Sequence, residues 1–158
     1  MQGKWRGILR HSVHLSCILL QMDLYAENIL DHYRDPRHKE VMKDASVTHE
    51  EANHVCGDEV TVQLKIEDDR ITSIAWQGVG CAISQAGIYI LCEEVEGMTL
   101  EEAEGLKKQD IYDLLGVPIG PRRFKCALIC LHALKNVIHL HCNEELQGWM
   151  ETVEIDEE

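Results

Sequence analysis

The chain has 158 residues, 45% of them hydrophobic and 27% charged, which is typical of one folded domain rather than a disordered chain. Its 28 Asp and Glu against 15 Lys and Arg give a formal charge of -13, which argues against nucleic acid or anionic lipid as a partner. No apolar run approaches the roughly 20 residues of a membrane span. We expect the seven cysteines to be reduced thiols in the cytoplasm, some of them metal ligands.

The distribution of charge divides the chain into three parts. Residues 1–21 are basic and contain no acidic side chain, so we expect an N-terminal extension, either upstream of a start at Met22 or a weak targeting segment. Residues 22–142 are expected to form the folded domain. Residues 143–158 carry seven acidic side chains and no Lys or Arg, which predicts an acidic, solvated tail with one helical turn around Trp149.

Hydrophobic periodicity predicts strands in the first half of the domain and helices in the second. Strict alternation and a short edge segment predict strands over residues 60–66, 71–76 and 45–48. Helical spacing and capping signals predict helices over residues 24–33, 82–93, 110–115 and 123–141, and a further one after a capping box at Thr99. Asp110 is expected to cap the helix that ends at Leu115. The order of elements predicts the α+β class.

Three cysteines fall at the ends of predicted elements, where loop backbone allows side chains to converge. Cys56 lies in the loop before the first long strand, Cys81 at the start of a helix and Cys126 in the first turn of the last helix. The positive end of a helix dipole stabilises a thiolate. We expect the neighbouring Arg123 and Lys125 to lower the pKa of Cys126 further.

Asp58 lies two residues after Cys56, and on an extended chain positions i and i+2 face the same side. Three thiolates and one carboxylate form a ligand set suited to zinc or to an iron–sulfur cluster. Because carboxylate is a harder and more labile ligand to iron, such a cluster suits assembly and hand-over better than permanent electron transfer. Spacing alone leaves open the alternative that these cysteines are buried or incidental.

At these residues the sequence resembles the U-type iron–sulfur scaffold family, which includes IscU, the NifU N-terminal domain and SufU. The resemblance covers roughly residues 22–141. It is carried by the stretch from Tyr25 to His38 and by the motifs Asn53-x-x-Cys56-Gly57-Asp58, Gly78-x-Gly80-Cys81-Ala82 and Pro121-x-Arg123-x-Lys125-Cys126. It implies a small antiparallel sheet of about three strands with helices packed on one face.

The resemblance also implies a function. Such proteins accept persulfide sulfur from a cysteine desulfurase, assemble a transient 2Fe-2S cluster with iron from an iron donor, and transfer it to apoproteins. The residues that would bind the cluster or a metal are Cys56, Asp58, Cys81 and Cys126. Cys126, with electrostatic support from Arg123 and Lys125, would accept the sulfur. A scaffold of this kind is a carrier rather than an enzyme, and we expect a monomer or a weak homodimer.

Two departures from the IscU branch keep a second function open. Lys125 stands where that branch has histidine, and residues 116–122 lack its Leu-Pro-Pro-Val-Lys segment. The third motif is closer to the SufU branch, whose members bind zinc and act as sulfurtransferases. However, the insertion typical of SufU between Cys81 and Cys126 is missing. The alternative is therefore a zinc-dependent sulfurtransferase that accepts sulfur from the desulfurase.

The remaining cysteines and histidines have simpler interpretations. Cys92 and Cys130 are expected to pack in the core. His139 and His141, next to Cys142, could bind adventitious metal, but we favour a fraying helix end. Arg122 and Arg123 are either solvated loop charges or contacts to the desulfurase.

Overall fold

The structure, a computed structural model, describes residue 27, residues 29–34 and residues 37–153. The predicted N-terminal extension lies outside these residues. The strands are β1 (Val47–Asn53), β2 (Asp58–Glu67) and β3 (Arg70–Val79). The helices are α1 (residues 29–34), α2 (Ala82–Val95), α3 (Leu100–Glu104), α4 (Lys108–Leu115), α5 (Phe124–His141) and α6 (Trp149–Val153). No helix in this described part of the chain is long and apolar enough to cross a membrane.

The three strands form an antiparallel sheet in the order β1-β2-β3, with the helices packed against it. This confirms the predicted α+β class. Alternation in β2 buries Val60, Val62 and Leu64, as its sequence pattern predicts. The predicted edge strand, residues 45–48, is misplaced: β1 begins at Val47 and continues to Asn53, which pairs with Asp58. Its polar sequence carries no strand signal, and the extension follows from pairing with β2.

Helix α5 is the centre of the core, because every residue from Cys126 to Ile138 is buried. It packs against β1, β2 and α2. Cys92 and Cys130 are buried in this core, as expected. A buried helix of this length fixes the position of its first turn, where Cys126 lies.

The short helices α3 and α4 test the predicted helix-capping residues. The capping box at Thr99 is confirmed: its hydroxyl accepts the Glu102 N–H at 3.1 Å, and the Glu102 carboxylate accepts the Thr99 N–H at 2.8 Å. Asp110 caps α4 as predicted, but as the third residue of the helix and not as its N-cap. Helix α4 begins at Lys108, and the Asp110 carboxylate accepts the N–H of Lys107, the residue before the helix, at 2.7 Å.

The predicted helical turn at Trp149 is confirmed as α6, but the prediction of a solvated tail is wrong for this helix. Thr152 and Val153 are buried, and the Trp149 ring stacks on His132 of α5 at a centroid distance of 4.2 Å. The His132 Nδ1 lies 2.6 Å from the Thr152 hydroxyl. Trp149 and Val153, four residues apart on one helical face, therefore attach an otherwise acidic segment to the domain.

Candidate metal and cluster site

Three predicted ligands meet where the sheet and the central helix come together. Cys56 lies in the turn between β1 and β2, Asp58 is the first residue of β2, and Cys126 lies in the first turn of α5. One ligand atom from each of the three lies within 4.8 Å of the other two. This spacing is close enough for one metal ion or one small cluster to contact all three after small side-chain movements.

Cys56 and Asp58 are brought together by a tight turn and not by an extended chain, so the predicted geometry is wrong although the proximity holds. Between them Gly57 adopts a left-handed conformation with φ 71°. The carbonyl oxygen of Asn53 accepts the N–H groups of Cys56 at 3.2 Å and Gly57 at 2.9 Å. The turn leaves the Cys56 side chain exposed at the tip of the hairpin.

Asp58 is held in place by three hydrogen-bond donors and is 1% exposed. Its Oδ1 accepts the backbone N–H of Cys81 and the hydroxyl of Ser84, each at 3.1 Å. Its Oδ2 accepts the side-chain amide of Asn53 at 3.2 Å. A buried carboxylate needs such partners. Gly80 makes the arrangement possible, because a Cβ there would lie 2.6 Å from Asp58 Oδ1.

Cys81 is adjacent to the other ligands but is not part of the closest group among the described residues. It is the N-cap of α2, and its Sγ accepts the N–H of Ser84 at 3.5 Å. The backbone N–H of Cys81 is bound to Asp58, so the two residues form one unit at the start of α2.

The thiol of Cys126 is buried, and its pKa is shifted in the direction opposite to the prediction. Burial raises the pKa most, followed by hydrogen bonds with Cys56 and Asp58 and by the negative charges of Cys81 and Asp58. The basic neighbours do not counter this: Lys125 Nζ lies 5.6 Å from the centroid of the Trp149 ring. The Cys126 thiol must lose its proton before its sulfur can bind a metal.

A groove of about 490 Å³ opens beside Cys56. The residues that line it are Asn53, Val55, Cys56, Pro121, Arg122, Arg123, Phe124 and Lys125. It combines three basic side chains with apolar ones, and Val55 at its edge is 83% exposed. In a chain with a formal charge of -13, this groove is a local basic surface next to the accessible thiol.

Two residues of the site were not among the predicted ones. Asn53 and Ser84 hold the Asp58 carboxylate. Both lie inside or next to the cysteine motifs, so their position in the sequence was a signal. Their role as hydrogen-bond donors to Asp58 cannot be predicted from spacing, because it depends on how the β1–β2 hairpin packs against α2.

The sequence profile of the NifU-like N terminal domain family matches residues 24–146. The chain belongs to this family. It is 31% identical over 129 residues to the zinc-dependent sulfurtransferase SufU of Bacillus subtilis (strain 168), a match that covers 71% of this chain and 87% of that protein. It is 30% identical over 131 residues to the iron–sulfur cluster assembly scaffold protein IscU of Thermotoga maritima, covering 73% and 92%.

Solved structures agree with this membership in the NifU-like family. A scaffold protein for the SUF system from Fervidobacterium islandicum AW-1 matches with a TM-score of 0.65 at 26% identity, covering 71% of this chain and 94% of that one. A NifU-like N-terminal domain from Brucella abortus has the same fold, with a TM-score of 0.65 at 21% identity, covering 78% and 97%. The predicted fold and family resemblance are thereby confirmed.

Proposed function

We propose that this NifU-like chain is an iron–sulfur cluster assembly scaffold. It accepts persulfide sulfur from a cysteine desulfurase, assembles a labile 2Fe-2S cluster with iron from a donor, and transfers the cluster to apoproteins. The observation that carries the proposal is the convergence of Cys56, Asp58 and Cys126, with Cys81 alongside. The IscU name of the Thermotoga maritima relative supports it.

The hydrogen bonds of Asp58 give a reason for a labile cluster. Its Oδ1 already accepts two hydrogen bonds from α2, which leaves Oδ2, with one longer bond, to face the thiols. A carboxylate whose charge is shared with donors is a weak ligand to iron, and thiolates bind iron more firmly. Asp58 therefore completes the site while allowing the cluster to leave.

We propose Cys56, rather than the predicted Cys126, as the first acceptor of sulfur. Cys56 is exposed and borders the basic groove, whereas Cys126 is buried. The Cys56 thiolate would attack the outer sulfur of the desulfurase persulfide. The S–S bond breaks, the desulfurase cysteine leaves as a thiolate, and Cys56 holds the persulfide. Arg123 and Lys125 would then act at the groove, on the approaching partner.

A zinc-dependent sulfurtransferase is the second candidate, favoured by the identity to the Bacillus subtilis SufU. The donor set fits zinc as well as iron, because Cys and Asp ligands both bind Zn²⁺. The residues that would hold the zinc are Cys56, Asp58, Cys81 and Cys126. Both candidates need reduced thiols, so we propose the cytoplasm as the compartment of this protein. We also propose that it is a monomer or a weak homodimer.

Cysteine substitutions test the proposal. The full chain is incubated without oxygen with a cysteine desulfurase, ferrous iron and cysteine, and sulfide-to-iron charge-transfer absorption is recorded. We expect absorption in the wild type and its loss in Cys56→Ser, Cys81→Ser and Cys126→Ser. The matched control is Cys142→Ser, an exposed cysteine at the end of α5 that should change nothing. Absorption that survives in all three site variants would contradict the proposal.

The same incubation without iron tests the sulfur acceptor. We expect a persulfide on Cys56, detected by mass spectrometry of peptides, and its loss in Cys56→Ser but not in Cys126→Ser. A persulfide that forms on Cys126 equally well in Cys56→Ser would restore the original assignment. In the incubation with iron, absence of the charge-transfer bands, together with bound zinc and faster desulfurase turnover, would favour the sulfurtransferase.

A further inference from the structure

A second group of side chains that could bind a metal lies at the end of α5 opposite to Cys126. The atoms of Glu104, His139 and Glu144 that could bind a metal lie within 4.8 Å of one another. Glu104 ends α3, His139 lies in the last turn of α5, and Glu144 lies in the loop that follows. Because three separate segments contribute, the group is a product of the fold and not of a local run of acidic residues.

The hydrogen bonds of His139 determine which ring nitrogen is available. Its Nδ1 lies 2.7 Å from the carbonyl oxygen of Glu145, which can only accept, so Nδ1 carries a proton. Its Nε2 lies 2.5 Å from a Glu104 oxygen and 3.7 Å from a Glu144 oxygen. In neutral histidine the Nε2 lone pair would point at two carboxylates, which repel it. Either a proton on Nε2 or a metal cation at this point removes the conflict.

This pairing of a backbone carbonyl with Nδ1 is the arrangement that orients metal-binding histidines. It fixes the ring and leaves Nε2 as the ligand. The His139 side chain is 12% exposed, so its ring is held by packing, whereas Glu104 at 35% and Glu144 at 57% are free to adjust. A rigid nitrogen ligand with two movable carboxylates is well suited to closing around an ion.

Gln147 supplies an independent observation. Its amide nitrogen lies 3.2 Å from His139 Nε2, and its amide oxygen is buried with no hydrogen-bond partner among the described residues. Since the oxygen and nitrogen of an amide occupy equivalent positions, rotation of this group brings the oxygen to the same point. Asn136 fixes the Gln147 backbone, accepting its N–H at 2.7 Å and donating to its carbonyl oxygen at 3.2 Å.

We propose that Glu104, His139 and Glu144, with the amide oxygen of Gln147, bind a divalent transition-metal cation of the Zn²⁺ class. Bonds of about 2.1 Å in a tetrahedron place ligand atoms about 3.4 Å apart. The separations of His139 Nε2 from Glu144 at 3.7 Å and from Gln147 at 3.2 Å match this spacing. The Glu104 carboxylate, whose oxygen lies 2.5 Å from Nε2, has to move outward. The imidazole nitrogen and oxygen donors favour Zn²⁺ over Ca²⁺ or Mg²⁺.

The site would join α3, α5 and the loop before α6. It does not depend on the proposed scaffold function, because none of its ligands belongs to the cysteine site. The expectation of a fraying helix end is replaced at His139 by a hydrogen-bonded and partly buried ring. His141 is not part of the group.

Zinc titration of the full chain tests the inference. In a variant with Cys56→Ser, Cys81→Ser and Cys126→Ser, Zn²⁺ alone is followed by calorimetry. We expect one Zn²⁺ per chain, bound at least about tenfold more weakly after His139→Gln or after Glu144→Gln. The matched control is His141→Gln, two residues along the same helix end, which should leave the affinity unchanged. The Glu144 variant guards against a folding defect, because its side chain is mostly exposed.

The wild-type chain gives a second measurement if the triple variant fails to fold. Its Zn²⁺ stoichiometry should fall by one ion on Glu144→Gln and should not fall on His141→Gln. Equal stoichiometry in all three proteins would overturn the inference and show that His139 forms only an ion pair with the carboxylates. Binding that is lost equally in the His141 variant would also overturn it, because it would place the ion elsewhere.

Discussion

Gly80→Ala is expected to disturb the cysteine site without removing any ligand. Gly80 lies between β3 and α2, where its Cα faces the Asp58 carboxylate. An added Cβ would lie 2.3 Å from the Ser84 hydroxyl and 2.6 Å from Asp58 Oδ1. Since ordinary contacts are 3.4 Å or longer, both side chains must move by about 1 Å. The hydrogen bond between them, now 3.1 Å long, cannot survive this movement.

The size of the effect follows from the bonds that are lost. A hydrogen bond to a charged acceptor contributes about 1.5–3 kcal/mol, and the backbone N–H of Cys81 loses part of its bond as well. We therefore expect Gly80→Ala to lower the free energy of unfolding of the metal-free chain by about 2–4 kcal/mol. Because Asp58 also leaves its position, the affinity for Zn²⁺ at the cysteine site should fall by about 10–100-fold.

Urea unfolding and zinc titration of matched proteins measure both quantities. The control is Gly120→Ala, where the added Cβ meets no described atom within 4 Å, so its stability should stay within about 0.5 kcal/mol of the wild type. The reasoning is refuted if Gly80→Ala is as stable as the control. It is also refuted if stability falls but zinc affinity does not, because Asp58 would then play no part in the site.

Three further variants test separate parts of the account. Asp58→Ala should give a longer-lived cluster and slower transfer in a scaffold, whereas in a zinc sulfurtransferase it should weaken zinc retention. The half-life of the cluster and the amount of bound zinc are measured. If neither changes, Asp58 is not a ligand. Thr99→Ala should lower the free energy of unfolding by about 1 kcal/mol in urea, through loss of the capping box; an unchanged midpoint would contradict it. Burial lowers the pKa of His132 despite the opposing charge of Glu51, so its contribution to stability is complete above the unfolded value of about 6.5 and is lost as the pH falls below that value and through the lowered folded pKa. His132→Asn should therefore flatten the loss of stability that accompanies a fall in pH below about 6.5, and equal slopes would disprove this assignment.

Local sequence pattern predicts the elements whose faces differ in polarity. Apolar and polar residues alternate along strand β2, and Thr99 and Glu102 form the capping box of α3, so both elements were predictable. Strand β1 beyond Thr48 was not, because its polar residues adopt a strand only through pairing with β2. The packing of helix α6 on the domain could not be predicted for the same reason, because it depends on the contact of Trp149 with α5.

At the cysteine site, the sequence predicts which residues converge but not the environment of each side chain. The motifs predicted which side chains would meet, and three of the four do so. The pKa of Cys126 could not be inferred from its neighbours in sequence, since successive helical residues point in different directions. Lys125 accordingly reaches Trp149, while Cys126 faces the interior.

Transfer of an assembled cluster tests the central claim most directly. The wild-type chain is loaded without oxygen by a cysteine desulfurase with ferrous iron and cysteine, separated from the reagents, and mixed with an apo-ferredoxin. The account predicts that charge-transfer absorption leaves this chain and appears in the ferredoxin as the iron moves with it. Retention of the cluster by the chain, or a chain that holds only zinc and forms no cluster, would contradict the assignment as a scaffold.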